Sequence, residues 1–311
     1  VTVGTALALM VLVVLWASAF PAIKLGLEGL GPGHLTLARH LVASTVFVPF
    51  LLVAKARLLP RRADLPALLG LGLVGISVYH LALNTGEQRV SAGATSLLIA
   101  TVPALTAVVA WLVRRDRLGP LGWSGTALGL VGVALIASGD GGVALAQVTD
   151  APLAGSGFEP YALFIVVAAV ATAVFAVAQG PLLRCYRPLE FTAYVTWAGT
   201  LPLLVFAPGF VGALAEAGST SLLATLHLGV FPSAVAYTLF ALALSRAPAT
   251  AVTAWLYLIP GFALLFSWWW LGEVPSALTL VGGAVVVVGV VLVQRSKRRG
   301  AAPISPAVAP R

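Results

Sequence analysis

The sequence predicts an all-α membrane protein with ten transmembrane helices in two inverted five-helix repeats. Three observations carry that prediction. Apolar residues make up 60% of the chain and charged residues only 9%, against about 25% charged in an average soluble domain. Ten apolar segments approach the length of about 20 residues needed to cross about 30 Å of hydrocarbon. The stretch from Arg89 to Ile136 also recurs without a gap from Arg246 onward. Arg89 falls on Arg246, Pro103 on Pro260, Trp111 on Trp268, Asp116 on Glu273, Gly125 on Gly282 and Gly132 on Gly289. Each copy reads as an apolar segment with a proline near its middle, a short charged turn, and a second apolar segment rich in glycine.

The first predicted span, 5–24, contains Pro21 and ends on Lys24. Within it, Ala17-Ser18-Ala19 looks like a signal-peptidase site, but no basic region precedes it, so the helix is expected to be retained. Gly31-Pro32-Gly33 separates it from the second span, 34–54, which carries Arg39, His40 and Pro49. Pro60 precedes the third, 67–86, with Tyr79, His80 and Asn84. The fourth, 91–113, contains Pro103, and Gly119-Pro120 opens the fifth, 120–138. The sixth, 160–180, follows the longest connection, which is acidic and rich in glycine. Pro188, Pro208-Gly209, Pro248 and Pro275 introduce the seventh (190–208), eighth (221–243), ninth (248–271) and tenth (277–294). The expected domain limits are a first repeat at 1–139, an outer connecting loop at 140–159, a second repeat at 160–295 and a basic, disordered cytoplasmic tail at 296–311.

Basic residues set the orientation. The connections after the even-numbered spans hold Lys55, Arg57, Arg61, Arg62, Arg114, Arg115, Arg117, Arg184, Arg187 and Arg246, and the tail holds Arg295, Lys297, Arg298 and Arg299. The alternate connections hold most of the carboxylates. Both termini are therefore expected in the cytoplasm. A unit of five spans repeated in series must insert the second time upside down, and inverted repeats of this kind typify secondary transporters that alternate access to a midplane site.

Several classes are excluded. The net charge of +8 sits in short clusters between apolar runs, which orients helices and does not form a nucleic-acid surface. Cys185 is the single cysteine, so neither an internal disulfide nor a cysteine metal site is expected. The chain has no Walker motif, HExxH or GxSxG, so neither ATP-driven transport nor intramembrane hydrolysis is expected. An enzyme, a cofactor and a bound metal are all outside the expectation.

Trp16-Ala17-Ser18-Ala19-Phe20-Pro21-Ala22-Ile23-Lys24, then Pro32, then Ala38-Arg39, resembles the opening of an EamA domain. Ile259-Pro260 through Leu271-Gly272-Glu273, followed by Gly282-Gly283 and Gly289, resembles its close. The chain is similar to ten-helix members of the drug/metabolite transporter (DMT) superfamily with two EamA domains, and among them to the YddG-like amino-acid exporters. Ala17, where glycine is usual, and Arg115-Asp116, where Gly-Glu is usual, depart from that pattern. The resemblance implies a multi-pass protein of the bacterial inner membrane that carries a small molecule. A monomer is expected, with a dimer as the alternative.

Charged groups inside a span cost roughly 2.5–3.5 kcal/mol on insertion scales and mark function. Arg39 lies about a turn and a half inside its helix and could meet a substrate carboxylate, or could bind backbone carbonyls. His80 and Asn84, four apart, share a face, which with Tyr79 either lines a path or glues helices. Trp255 and Tyr257 precede Pro260 and could stack on an apolar or aromatic substrate. These six are the candidate substrate-binding residues. Pro103 and Pro260, being repeat-equivalent, are the candidate gating bends. No carboxylate falls in mid-span; Glu87 and Glu273 lie at span ends, so transport without obligatory proton exchange is expected. The function expected is export of small metabolites, foremost apolar or aromatic amino acids, by alternating access through a central cavity. The alternatives are a multidrug or nucleotide-sugar carrier, or a channel or lipid-handling protein.

Overall fold

The structure, a computed structural model, describes residues 3–114, 119–149, 159–246 and 255–300. Seven helical stretches are long and apolar enough to cross a membrane, and three shorter apolar helices complete the ten. We number them α1 (Val3–Leu27), α2 (Pro32–Val53), α3 (Arg62–Gly86), α4 (Ala92–Val113), α5 (Pro120–Thr149), α6 (Ala162–Ala178), α7 (Pro188–Phe206), α8 (Ser219–Phe240), α9 (Ile259–Leu271) and α10 (Ala277–Gly300).

The two halves are related through their glycines. In α5 and α10, the most extensively packed pair, a Cβ on Gly125 would come within 2.5 Å of the Gly289 carbonyl oxygen, and one on Gly132 within 2.7 Å of that of Gly282. Gly125 and Gly282 are repeat mates, as are Gly132 and Gly289. Each glycine thus touches the mate of the other, which is the signature of a two-fold relation. The contact is also antiparallel, so the axis runs across the helices and the halves are inverted. Only glycine lets two backbones approach this closely.

The same relation extends beyond the stretch visible as a repeat. Gly72 of α3 lies against Gly199 of α7, and its mate Gly229 of α8 lies against Val42 of α2. A π-helical segment follows Gly72, Leu73–Val78 in α3, and another begins at Gly229, Gly229–Val235 in α8. Helix α4 breaks at Ala100–Thr101, just before Pro103, and α9 is preceded by a 3-10 turn, Leu256–Leu258, just before Pro260. Proline at the start of a helical segment costs no hydrogen bond, because that N–H has no intrahelical partner. The repeat-equivalent prolines therefore both stand at helix breaks.

Three features differ from the expectation. Helix α1 is interrupted at Ser18, whose hydroxyl donates to Leu15 O at 2.9 Å, while Pro21 leaves the Ala17 carbonyl without its helical donor. Helix α5 continues to Thr149, beyond the Gly139 limit expected for the first repeat, because the run Val143–Val148 is free of proline and, apart from Gln147, apolar. Helix α10 continues through Arg295–Arg299 to Gly300: lysine and arginine are good helix formers and are favoured at a C-terminus. The rest of the expected tail, 301–311, and residues 150–158 of the expected connecting loop lie outside the described residues.

The cytoplasm-assigned connection between α2 and α3 is stitched onto α7. Glu190 accepts from the backbone N–H of Arg57 at 3.0 Å and of Arg187 at 3.1 Å. Tyr194 donates to Arg57 O at 2.5 Å, and Tyr186, just before α7, donates to Asp64 Oδ2 at 2.5 Å and accepts from the Arg61 N–H at 3.0 Å. Burial and the Asp64 carboxylate raise the Tyr186 phenol above its ordinary value, so it remains the donor at physiological pH.

Candidate functional site

The π-helical segments position the site. A π turn shifts the hydrogen-bond register and leaves carbonyls to be satisfied by side chains. In α8, Ser233 donates to Leu228 O at 2.8 Å, and Trp16 of α1 donates to Pro232 O at 3.1 Å. In α3, the His80 ring is bonded through Nδ1 to Ile76 O at 3.0 Å, and Ser77 donates to Gly199 O at 2.6 Å. Each segment thereby fixes polar side chains that face the contact between halves.

Arg39 is the centre of the arrangement. It is only 3% exposed, and its Nη2 donates to the Ser233 hydroxyl at 3.2 Å. Its Nε and Nη1 are buried and have no hydrogen-bond partner. The close approach of Gly229 to Val42 and to the Arg39 carbonyl brings α8 near enough for this bond. The charge of Arg39 acts on Tyr79, Tyr237 and Glu87. Tyr79 and Tyr237 are partly exposed although both sit in mid-helix. Trp16 packs edge-on to Tyr237, with ring centres 5.2 Å apart, and against Phe240 at 5.4 Å.

Helices α2 and α3 run antiparallel with a fixed register. The His40 and His80 rings meet edge to face at 4.4 Å, and Asn84 donates from Nδ2 to the Thr36 hydroxyl at 2.8 Å. Thr36 donates in turn to Pro32 O at 2.6 Å, and His40 Nδ1 bonds to Thr36 O at 2.8 Å. Asn84 is fully buried, and its Oδ1 has no partner. One turn further on, Glu87 is also 0% exposed, and neither carboxyl oxygen has a partner. Burial pushes its carboxyl well above the ordinary carboxylate value, Lys24 and Arg39 act against that, and Glu273 adds to it.

Of the residues expected at the site, the structure brings Arg39, Tyr79, His80 and Asn84 together. Trp255 is half-buried and joins a different group, packing with Leu9, Leu12 and Phe240 between α1, α8 and α9. Phe240 and Trp16 connect that group to Tyr237. The Tyr257 backbone lies in the 3-10 turn before α9, and its side chain lies outside the described residues. Pro103 is partly exposed and Pro260 buried. Sequence reading gave too little weight to Ser233, Tyr237, Trp16 and Glu87. The repeat held a signal for two of them, since it lays Tyr237 over His80 and Ser233 over Ile76.

A duplicated, inverted bundle of ten helices, with a buried cation and aromatic rings where its halves meet, is the architecture of a membrane transporter. The chain belongs to the EamA-like transporter family of the drug/metabolite transporter superfamily: the family's model matches residues 4–138 and again 160–295. It is 38% identical over 276 residues to the "Uncharacterized transporter YdfC" of Bacillus subtilis, covering 89% of this chain and 86% of that one. It is also 38% identical over 291 residues to a "Probable terminal-alkyne amino-acid exporter" of Streptantibioticus cattleyicolor, covering 93% and 92%. A solved crystal structure shares the fold with a TM-score of 0.61 at 19% identity, covering 97% of this chain and 100% of the other.

Proposed function

We propose that this transporter exports small metabolites from the cytoplasm, foremost amino acids with apolar or aromatic side chains, by alternating access. The observation that carries the reading is Arg39, a buried guanidinium with two unpartnered nitrogens, flanked by Tyr79 and Tyr237 where the inverted halves meet. A carboxylate would satisfy both nitrogens in a forked pair, and the rings offer a face for an apolar side chain. The relative whose printed name is an amino-acid exporter supports the same class.

In this reading Arg39, Tyr79 and Asn84 bind substrate, and His80 walls the site with Tyr79. Trp255 and Tyr257 line the path beyond it. The helix breaks before Pro103 and Pro260 are the bends about which α4 and α9 open and close the two sides. Both termini lie in the cytoplasm, and the repeats span 1–139 and 160–295.

The test is uptake of labelled amino acids into proteoliposomes, run against a panel of cationic drugs and nucleotide sugars. Saturable uptake of leucine or phenylalanine supports the reading. Uptake of drugs or nucleotide sugars, with none of any amino acid, overturns it.

A further inference from the structure

We propose that Arg39, Asn84 and Glu87 together form a zwitterion site, which takes the main chain of a free α-amino acid through its carboxylate and its ammonium at once. This rests on the amino-acid reading above and adds a second, oppositely charged pole to it.

Buried polar atoms are normally paired, because each one left unpaired loses its water without replacement. Here the described residues hold unpaired groups of both signs in one neighbourhood. Arg39 has two bare nitrogens. Asn84 Oδ1 and both oxygens of Glu87 are bare acceptors. Arg39 and Glu87 lie in each other's field, yet neither satisfies the other. Lys24 from α1 and Glu273 from the segment after α9 also act on Glu87, and neither is bonded to it. A buried cation beside a carboxyl group that ionises only when a positive charge sits against it suits a ligand that brings both a carboxylate and an ammonium.

The register gives the offset between the two residues along the helices. Asn84 pairs with Thr36 and His80 with His40, so Arg39 lies below the Asn84–Thr36 level and Glu87 above it. The two backbones are offset by about six residues of helix, roughly 9 Å along the axis. In an α-amino acid the ammonium nitrogen and the carboxylate carbon share one carbon and lie about 2.5 Å apart. A charge-assisted hydrogen bond at each end adds about 2.7–2.9 Å, a span of the same order as the backbone offset, which the two side chains bridge from either end. Glu87 caps the end of α3 three residues after Asn84, so the two share a face and would both accept from the ammonium. An α-hydroxy acid brings Glu87 a hydrogen bond without the positive charge, and an amide brings Arg39 an acceptor without the negative charge.

The experiment measures transport in proteoliposomes of leucine and phenylalanine, each beside its 2-hydroxy acid and its amide, for wild type and for Glu87→Gln. The expected wild-type preference for the amino acid over either analogue is roughly ten- to hundredfold. Glu87→Gln should erase the preference over the hydroxy acid and keep the preference over the amide. Glu87→Asp, which keeps the charge, should retain most of the discrimination and stands in if the glutamine variant does not fold. Wild type that takes amino acid and hydroxy acid equally overturns the zwitterion site but leaves the amino-acid reading intact. So does a folded Glu87→Gln that keeps the full preference. Wild type that takes no amino acid overturns both.

Discussion

Arg39 of the first repeat and Ser233 of the second share a hydrogen bond of 3.2 Å between the two halves. It joins α2 to the π-helical segment of α8, and it occupies only one of the three guanidinium nitrogens. The other two are buried without partners. An arginine bound into place purely as helix glue would have its donors satisfied by carbonyls, so the bare nitrogens are the ones a ligand would meet in the proposed reading.

The first prediction follows from that geometry. Arg39→Lys keeps the charge and loses the planar fork, so uptake should fall at least about tenfold, consistent with loss of a charge-assisted bond worth about 1.5–3 kcal/mol. Arg39→Ala should abolish uptake. Transport by Arg39→Lys at the wild-type rate would show that charge alone suffices.

The two-fold contact between α5 and α10 makes a structural prediction. Gly132→Leu forces a side chain into the Gly282 backbone and should lower the melting temperature sharply, since overpacking a tight site costs about 1–3 kcal/mol or more. Gly129→Ala is the control, because a Cβ there meets nothing within 4 Å. Equal melting temperatures for the two variants would remove the close packing from the account.

Glu87 ties stability to pH. Its carboxyl is held well above the ordinary value in the folded state, chiefly by burial. The folded protein therefore binds this proton more tightly than the unfolded chain does. That contribution is fully present below the ordinary carboxylate value of 4.5 and is lost as pH rises through the raised one. Wild type should lose melting temperature as pH rises across that window. Glu87→Gln should flatten the profile and melt no lower than wild type near neutral pH, while losing the preference for amino acid over hydroxy acid. A wild-type profile that rises with pH would contradict the assignment.

Orientation is checked at Cys185, which is exposed in the connection between α6 and α7. An impermeant maleimide should label it in inside-out vesicles and leave it unlabelled in intact cells. The reverse pattern would invert the topology and make the carrier face the other way.

Much of this was legible in the sequence, for physical reasons. A bilayer demands apolar segments of fixed length, so all ten spans could be read from composition, and the odd number in each repeat dictated inversion. The spacing of His80 and Asn84 placed them on one face with Tyr79 beside them. The π-helical segments were not legible, because they arise where Gly72 and Gly229 let a neighbouring helix press against the backbone, and that neighbour is distant in sequence. Ser233 gains its meaning only through this contact. Glu87 read as an end-of-span carboxylate because its burial is a product of the fold, and the charges of Lys24 and Glu273 that act on it come from elsewhere in the chain. The packing of Trp255 with Leu9, Leu12 and Phe240 was not legible either, because these partners lie far from it in sequence.

The most direct test of the central claim is trans-stimulation in proteoliposomes. Vesicles preloaded with unlabelled leucine should take up external labelled leucine faster than empty vesicles, with saturation, and Arg39→Ala should abolish both effects. Uptake that rises linearly with concentration, is indifferent to preloading and survives Arg39→Ala would describe a pore, and would contradict alternating access through a site at Arg39.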